Sequence, residues 1–133
     1  MTLREQIIAL REHGATYDQI QAQLKCSKGT IAYYLGEGQK EKTHKRQNDQ
    51  RAKVARFIAG VKDNQHCVEC GIAYRYWQLE FDHLSEKEFT IGQFRSHTTD
   101  LARIKAEIEK CEIVCANCHR DRTYRRRVES EEN

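Results

Sequence analysis

The sequence predicts an α+β fold built from two small domains, and three observations predict it. Residues 2–36 carry apolar side chains at helical spacing, LEFDHL at residues 79–84 alternates as a short strand, and two Cys-x2-Cys pairs bracket the second half. With 133 residues, 38% hydrophobic and 32% charged, neither half can assemble a large core. A domain of about 60 residues buries little of its surface and usually needs a staple such as a metal ion.

The N-terminal helices follow from spacing. Leu3, Ile7 and Leu10 form one face, which Gly14 ends; Tyr17, Ile20 and Leu24 form the next. After the break at KCSKG, Ser27 is placed to cap a third helix that carries Ile31 and Leu35 and stops at Gly36 and Gly38. Two helices across a tight turn make the helix-turn-helix pattern, and residues 1–38 resemble the small helix-turn-helix domains of phage proteins, invertases and regulators. The turn position usually given to Gly holds Lys25, so the turn is expected to be longer or differently shaped. Ser27, Lys28, Thr30 and Tyr33 at the start of the third helix are the candidate DNA contacts. The plainer alternative is a three-helix bundle for protein contacts.

The net charge is only +3, but it is unevenly spread. Lys40, Lys42, Lys45, Arg46, Arg51, Lys53 and Arg56 form one basic run; Arg120, Arg122, Arg125, Arg126 and Arg127 form another. Two basic runs on a nearly neutral chain point to a polyanion partner, with Lys45 and Arg46 as backbone contacts. Residues 39–56 read as a flexible basic linker. Within RAKVARFIAGVK, Val54, Phe57, Ile58 and Val61 read as a helix docking on the second domain, residues 57–128, and 129–133 as an acidic tail. The charged N-terminus has no signal-peptide core and no apolar run approaches a membrane span, so a soluble, cytoplasmic protein is expected.

In a reducing compartment, Cys67-x2-Cys70 and Cys115-x2-Cys118 read as two knuckles completing a tetrahedral zinc site, with Gly71 suited to the left-handed turn of the first. Four sulfurs leave no open position, so this zinc is structural. Cys26 and Cys111 are expected to fill small apolar slots. His13, His44, His66 and His97 read as surface or packing residues, and Tyr74, Tyr76 and Trp77 as core, with base stacking the lesser alternative. EKEFTIGQF is expected to add a short strand or turn, followed by a helix opening near Thr99 with Leu101, Ile104 and Ile108 on one face.

In order, the chain presents Cys67-Val-Glu-Cys70-Gly71, then Leu79-Glu-Phe-Asp82-His83-Leu84, then the strand CEIVC, then Cys115-Ala-Asn-Cys118-His119-Arg120. This resembles the zinc-stapled HNH endonucleases with the pattern CxxC…DH…CxxCH. The resemblance implies a ββα-metal (His-Me finger) fold, with a second strand around residues 112–114 and a helix over 116–127. It implies that His83 is the general base, that Asp82 and His119 hold a catalytic divalent metal, Mg²⁺ or else Mn²⁺ or Ni²⁺, and that Arg120, Arg122 and Arg125 grip phosphates of double-stranded DNA. An imidazole can take the proton of the attacking water at neutral pH, and a divalent cation can stabilise charge on the phosphate. Two positions depart from the family pattern. Lys110 stands where an Asn usually orients the base, so either Lys110 contacts phosphate and another group orients His83, or the site is weakened; Thr123 stands where a second helix ligand is often found. The combination looks like a phage or mobile-element homing-type nuclease, with a host-defence or repair nuclease as a rival. Cutting both strands implies a homodimer or two sequential nicks. The alternative from another class is a DNA-binding regulator whose HNH domain is silent.

Overall fold

The computed structural model describes residues 1–36 and 38–133 and divides into two compact units, Met1–Asp49 and Gln50–Asn133. The first unit holds α1 (Leu3–Glu12), α2 (Tyr17–Leu24) and α3 (Lys28–Leu35). One isoleucine from each helix, Ile7, Ile20 and Ile31, is fully buried, and Leu10, Leu24 and Leu35 pack around them. The sequence caps every start. The Thr2 and Thr16 hydroxyls accept from the backbone N–H groups of Glu5 and Gln19, whose side chains reach back, and Ser27 Oγ accepts from Thr30 N at 3.0 Å. Gly14, with φ +84°, lets the chain turn after α1.

Lys25 departs from expectation. It adopts the left-handed conformation itself, with φ 52° and ψ 38°, and its N–H bonds Gln21 O at 2.9 Å. The turn therefore keeps the geometry usually given to glycine and carries the strain of a Cβ there.

A single 24-residue helix, α4 (Gln39–Lys62), replaces the expected flexible linker. Lys, Arg, Gln and Glu are good helix formers, so a polar stretch without Gly or Pro until Gly60 can be a solvated helix as readily as a coil. Its later part buries Val54 and Ile58, as their spacing predicted.

The second unit is a small α+β layer. The strands β1 (Leu79–His83) and β2 (Cys111–Cys115) pair antiparallel, Leu79 opposite Cys115 and His83 opposite Cys111. The helix α5 (Leu101–Ile108) precedes β2, and α6 (Ala116–Glu132) follows it directly and packs on both strands. Asp100 caps α5 through Ala102 N at 2.9 Å, where Thr99 was expected to open it. EKEFTIGQF, expected as a short strand or turn, takes the turn form: a 3₁₀ segment, Ile91–Ser96, begins within it. Phe89, Ile91, Phe94, Ile104, Val54 and Ile58 form one core cluster; Cys67, Leu79, Val114 and Cys115 form another. Cys111 packs on the first cluster and Cys26 on the N-terminal core, as expected of small apolar side chains. Tyr76 and Trp77, expected in the core, are exposed, while Tyr74 is packed beside Leu79 and Val114. Among the described residues no helix is long and apolar enough to cross a membrane.

Replacing Lys25 by Gly removes the Cβ penalty of the left-handed turn. Lys25→Gly is expected to stabilise the N-terminal unit by about 0.5–1 kcal/mol, measured as a raised urea midpoint for the transition that carries α1 to α3.

Candidate active site and metal centre

Two turns bring four sulfurs together. In the first, Gly71 at φ +73° closes the loop, with Gly71 N donating to Cys67 O at 2.8 Å and Cys67 N to Ile72 O at 3.0 Å. In the second, Cys115 ends β2 and caps α6. The Cys70 and Cys118 N–H groups donate to Cys67 Sγ and Cys115 Sγ at 3.5 and 3.4 Å, an arrangement that favours thiolates. The Sγ atoms of Cys67, Cys70, Cys115 and Cys118 all lie within 4.8 Å of one another. Sulfurs on a tetrahedral ion at about 2.3 Å would be separated by about 3.8 Å, so the set fits a metal ion with little adjustment. The sulfurs also divide protons unequally. Burial opposes ionisation of Cys67, but surrounding N–H groups overcome it and bring the thiol down to about 6; hydrogen bonding to Cys115 and burial push Cys118 up to about 12.

Beside this cluster, β1 and α6 assemble the histidines and carboxylates. Glu80 and Asp82 alternate toward α6. His119, the residue after Cys118, donates through Nδ1 to Glu80 Oε2 at 2.6 Å, and its Nε2 lies 3.5 Å from Asp82 Oδ1. His83 alternates the other way, toward α5, where its Nε2 is 2.8 Å from Glu107 Oε1. Asp82, His83 and His119 nevertheless line one cleft of about 480 Å³, along with Lys87 and Arg126.

Asp82 is buried, 1% exposed, and both its oxygens are engaged by guanidinium groups. Arg126 donates to Oδ1 at 2.7 Å and Oδ2 at 2.8 Å, and Arg122 donates to Oδ2 at 2.8 Å. Arg126 above all, and Arg122, hold the Asp82 carboxyl down at about 2 against the effect of burial. Arg122 also binds Glu69 at 2.6 Å and Glu112 at 2.7 Å, and Arg125 binds Glu69 and Asp121 at 2.9 Å each. Arg122 and Arg125, expected on DNA phosphates, are thus spent on protein carboxylates; register explains part of this, since Asp82 and Glu112 are directly opposed across the sheet. Lys110, also expected on phosphate, is 2.7 Å from Glu107 Oε2.

The remaining candidates are dispersed. The Ser27 and Thr30 hydroxyls are 2.9 Å apart within the α3 cap, Lys28 pairs with Asp18, Tyr33 bonds His44 at 3.0 Å and Lys45 pairs with Asp49. Arg46 and Arg120 are exposed, and Arg120 lines a second cleft of about 420 Å³ with His119, Tyr124 and Arg127. Thr123, at the position of a second helix ligand, gives its hydroxyl to His119 O at 3.0 Å. His97 stacks on Phe89, and His66 sits in the bridge to Ala73 behind the first knuckle.

Two carboxylates were missed in the sequence. Glu80 looks like an outward strand residue. Glu107 does carry a signal, because it falls three residues after Ile104 and shares the buried face of α5. No family model, no curated protein and no solved structure matches the chain.

Glu107, like Asp82, titrates well below its usual range. Burial opposes its ionisation, but Lys110, the Glu88 N–H and His83 outweigh that and bring it to about 2 from the usual 4.5. The unfolded chain therefore takes up these protons first, and the stabilisation is complete above about pH 4.5 and lost as pH falls toward 2. Thermal unfolding of wild type and Glu107→Gln is expected to differ most above pH 4.5, with the gap closing toward pH 2.

Proposed function

We propose that the chain is a metal-dependent DNA endonuclease of the HNH type, with a helix-turn-helix unit that binds double-stranded DNA and a zinc-stapled unit that cuts it. The observation that carries this reading is the meeting of Asp82, His83 and His119 in one cleft, on one strand of an antiparallel pair and a helix tied to four clustered cysteines. Four thiolates and a closed shell suit zinc, in a structural role.

His83 supplies the base. Its Nε2 is occupied by Glu107, and Nδ1 has no protein partner among the described residues, so Nδ1 takes the proton of the attacking water. His119 is held by Glu80 through Nδ1, the carboxylate–histidine relation that orients a metal-binding imidazole and leaves Nε2 for the ion. Asp82 and His119 would hold the divalent cation, Mg²⁺ or else Mn²⁺ or Ni²⁺, which supplies positive charge at the scissile phosphate. Arg126 must then give up the Asp82 oxygen nearest His119; it is half exposed and can turn to a phosphate instead. Arg120 and Arg127, beside His119 and without a carboxylate partner among the described residues, replace Arg122 and Arg125 as the phosphate grip. In the first unit, the exposed start of α3 with Ser27, Lys28, Thr30 and Tyr33 meets a groove, and Lys45 and Arg46 on α4 meet backbone. A phage or mobile-element enzyme acting in the host cytoplasm is the setting, on the strength of the resemblance alone.

One observation favours a second reading, a DNA-binding regulator with a silent site: the two arginines on Asp82 already neutralise the carboxylate that a metal would need.

The test is cleavage of supercoiled plasmid with Mg²⁺ or Mn²⁺. Wild type is expected to produce nicked or linear DNA, and His83→Ala to lose at least about 100-fold in rate while keeping its cysteine-bound metal. Tight DNA binding without cutting in any divalent metal favours the regulator.

A further inference from the structure

Glu107 lies outside every motif, yet with Asp82 it is one of two charged side chains buried to 1% exposure among the described residues. A buried carboxylate is costly unless each oxygen is satisfied. Here Oε1 meets His83 Nε2 at 2.8 Å and the Glu88 N–H at 2.9 Å, while Oε2 meets Lys110 Nζ at 2.7 Å. Its place gives no gain to the helix, because Glu107 lies in the last turn of α5, where negative charge is unfavourable. Its partners must therefore justify it.

The geometry constrains the ring of His83. An ionised carboxylate can only accept, so a neutral imidazole bonded to it through Nε2 must carry its proton there. Nδ1 then holds the lone pair. Since no buried side-chain nitrogen or oxygen lacks a partner among the described residues, the unpartnered Nδ1 keeps some exposure to solvent, and His83 lines the cleft. Lys110 is 33% exposed and touches the carboxylate from its other oxygen. It reaches the histidine only through Glu107.

We propose that Glu107 is the positioning residue of His83, fixing the ring as the Nε2–H tautomer with Nδ1 toward the cleft, and that Lys110 anchors the Glu107 carboxylate. The tautomer follows from the contact alone, and its catalytic consequence rests on the nuclease reading above. A carboxylate on α5 and a lysine in the turn before β2 thereby hold the base from behind.

Two measurements on the full chain test this. Ring ¹⁵N spectra of His83 at neutral pH, assigned by the loss of its signals in His83→Ala, are expected to show the Nε2–H tautomer in wild type and a mixture of tautomers in Glu107→Gln. In plasmid cleavage, Glu107→Gln is expected to lower kcat roughly 10–100-fold, with KM for DNA changed by less than about twofold, since removing an orienting partner costs about that much in comparable sites. Lys110→Met is expected to show a smaller loss of the same kind, while Glu107→Asp, which keeps the charge, is expected to recover part of kcat. A wild-type ring in the Nδ1–H form overturns the proposal even if Glu107→Gln fails to fold. So does a folded Glu107→Gln with unchanged ring spectra and kcat. A wild type that holds the Nε2–H ring but cuts no DNA in any divalent metal supports the positioning and overturns the nuclease reading.

Discussion

Four thiol groups crowded within 4.8 Å are the constraint on which the second unit turns. Without a cation, ionised sulfurs this close would repel one another, so the cluster must keep protons on some of them. With one, the two knuckles become a cross-link between the loop before β1 and the junction of β2 with α6. Successive residues on a helix are about 100° apart, so a Cys118 turned to the cluster presents His119 to a different side. That side is the face of β1 carrying Glu80 and Asp82. The knuckle thus aims a histidine without contacting it.

Each histidine of the cleft is also held by its own carboxylate, His119 by Glu80 and His83 by Glu107. The two contacts lie on opposite sides of β1, and Asp82 and His83, adjacent at its end, both reach the cleft. The arginines of α6 are drawn into the same balance. Arg122 meets three carboxylates, and its guanidinium is held charged by them above its ordinary range. Density of positive charge along α6 therefore overstates the charge that is free to meet a phosphate, because Glu69, Asp82 and Glu112 neutralise much of it.

The parts of this arrangement that were legible in the sequence are those that depend on local spacing. Helix periodicity placed α1 to α3, alternation placed β1, and the Cys-x2-Cys pairs placed the sulfurs that the structure brings together. What escaped depends on partners far along the chain. Glu80 and Glu107 have no motif; their roles come from His119 and His83, which only pairing of β1 with β2 and packing of α5 bring near. The arginines were read by sign without their acceptors. Residues 39–56 were read as flexible because they are polar, although polarity decides exposure and helix propensity decides conformation. Tyr76 and Trp77 were placed inside by hydrophobicity, but the core beside β1 is filled by Tyr74, Leu79 and Val114.

The most direct test of the central constraint is metal content paired with amide hydrogen exchange, before and after chelation. One zinc ion per chain is expected at the cysteines, with four sulfur ligands by X-ray absorption, when no other divalent metal is added. Its removal is expected to strip protection from β1, β2 and the first turn of α6 while α1 to α3 exchange as before. A chain that binds no ion at these cysteines, or that keeps β1, β2 and α6 protected after the ion is removed, would contradict the account.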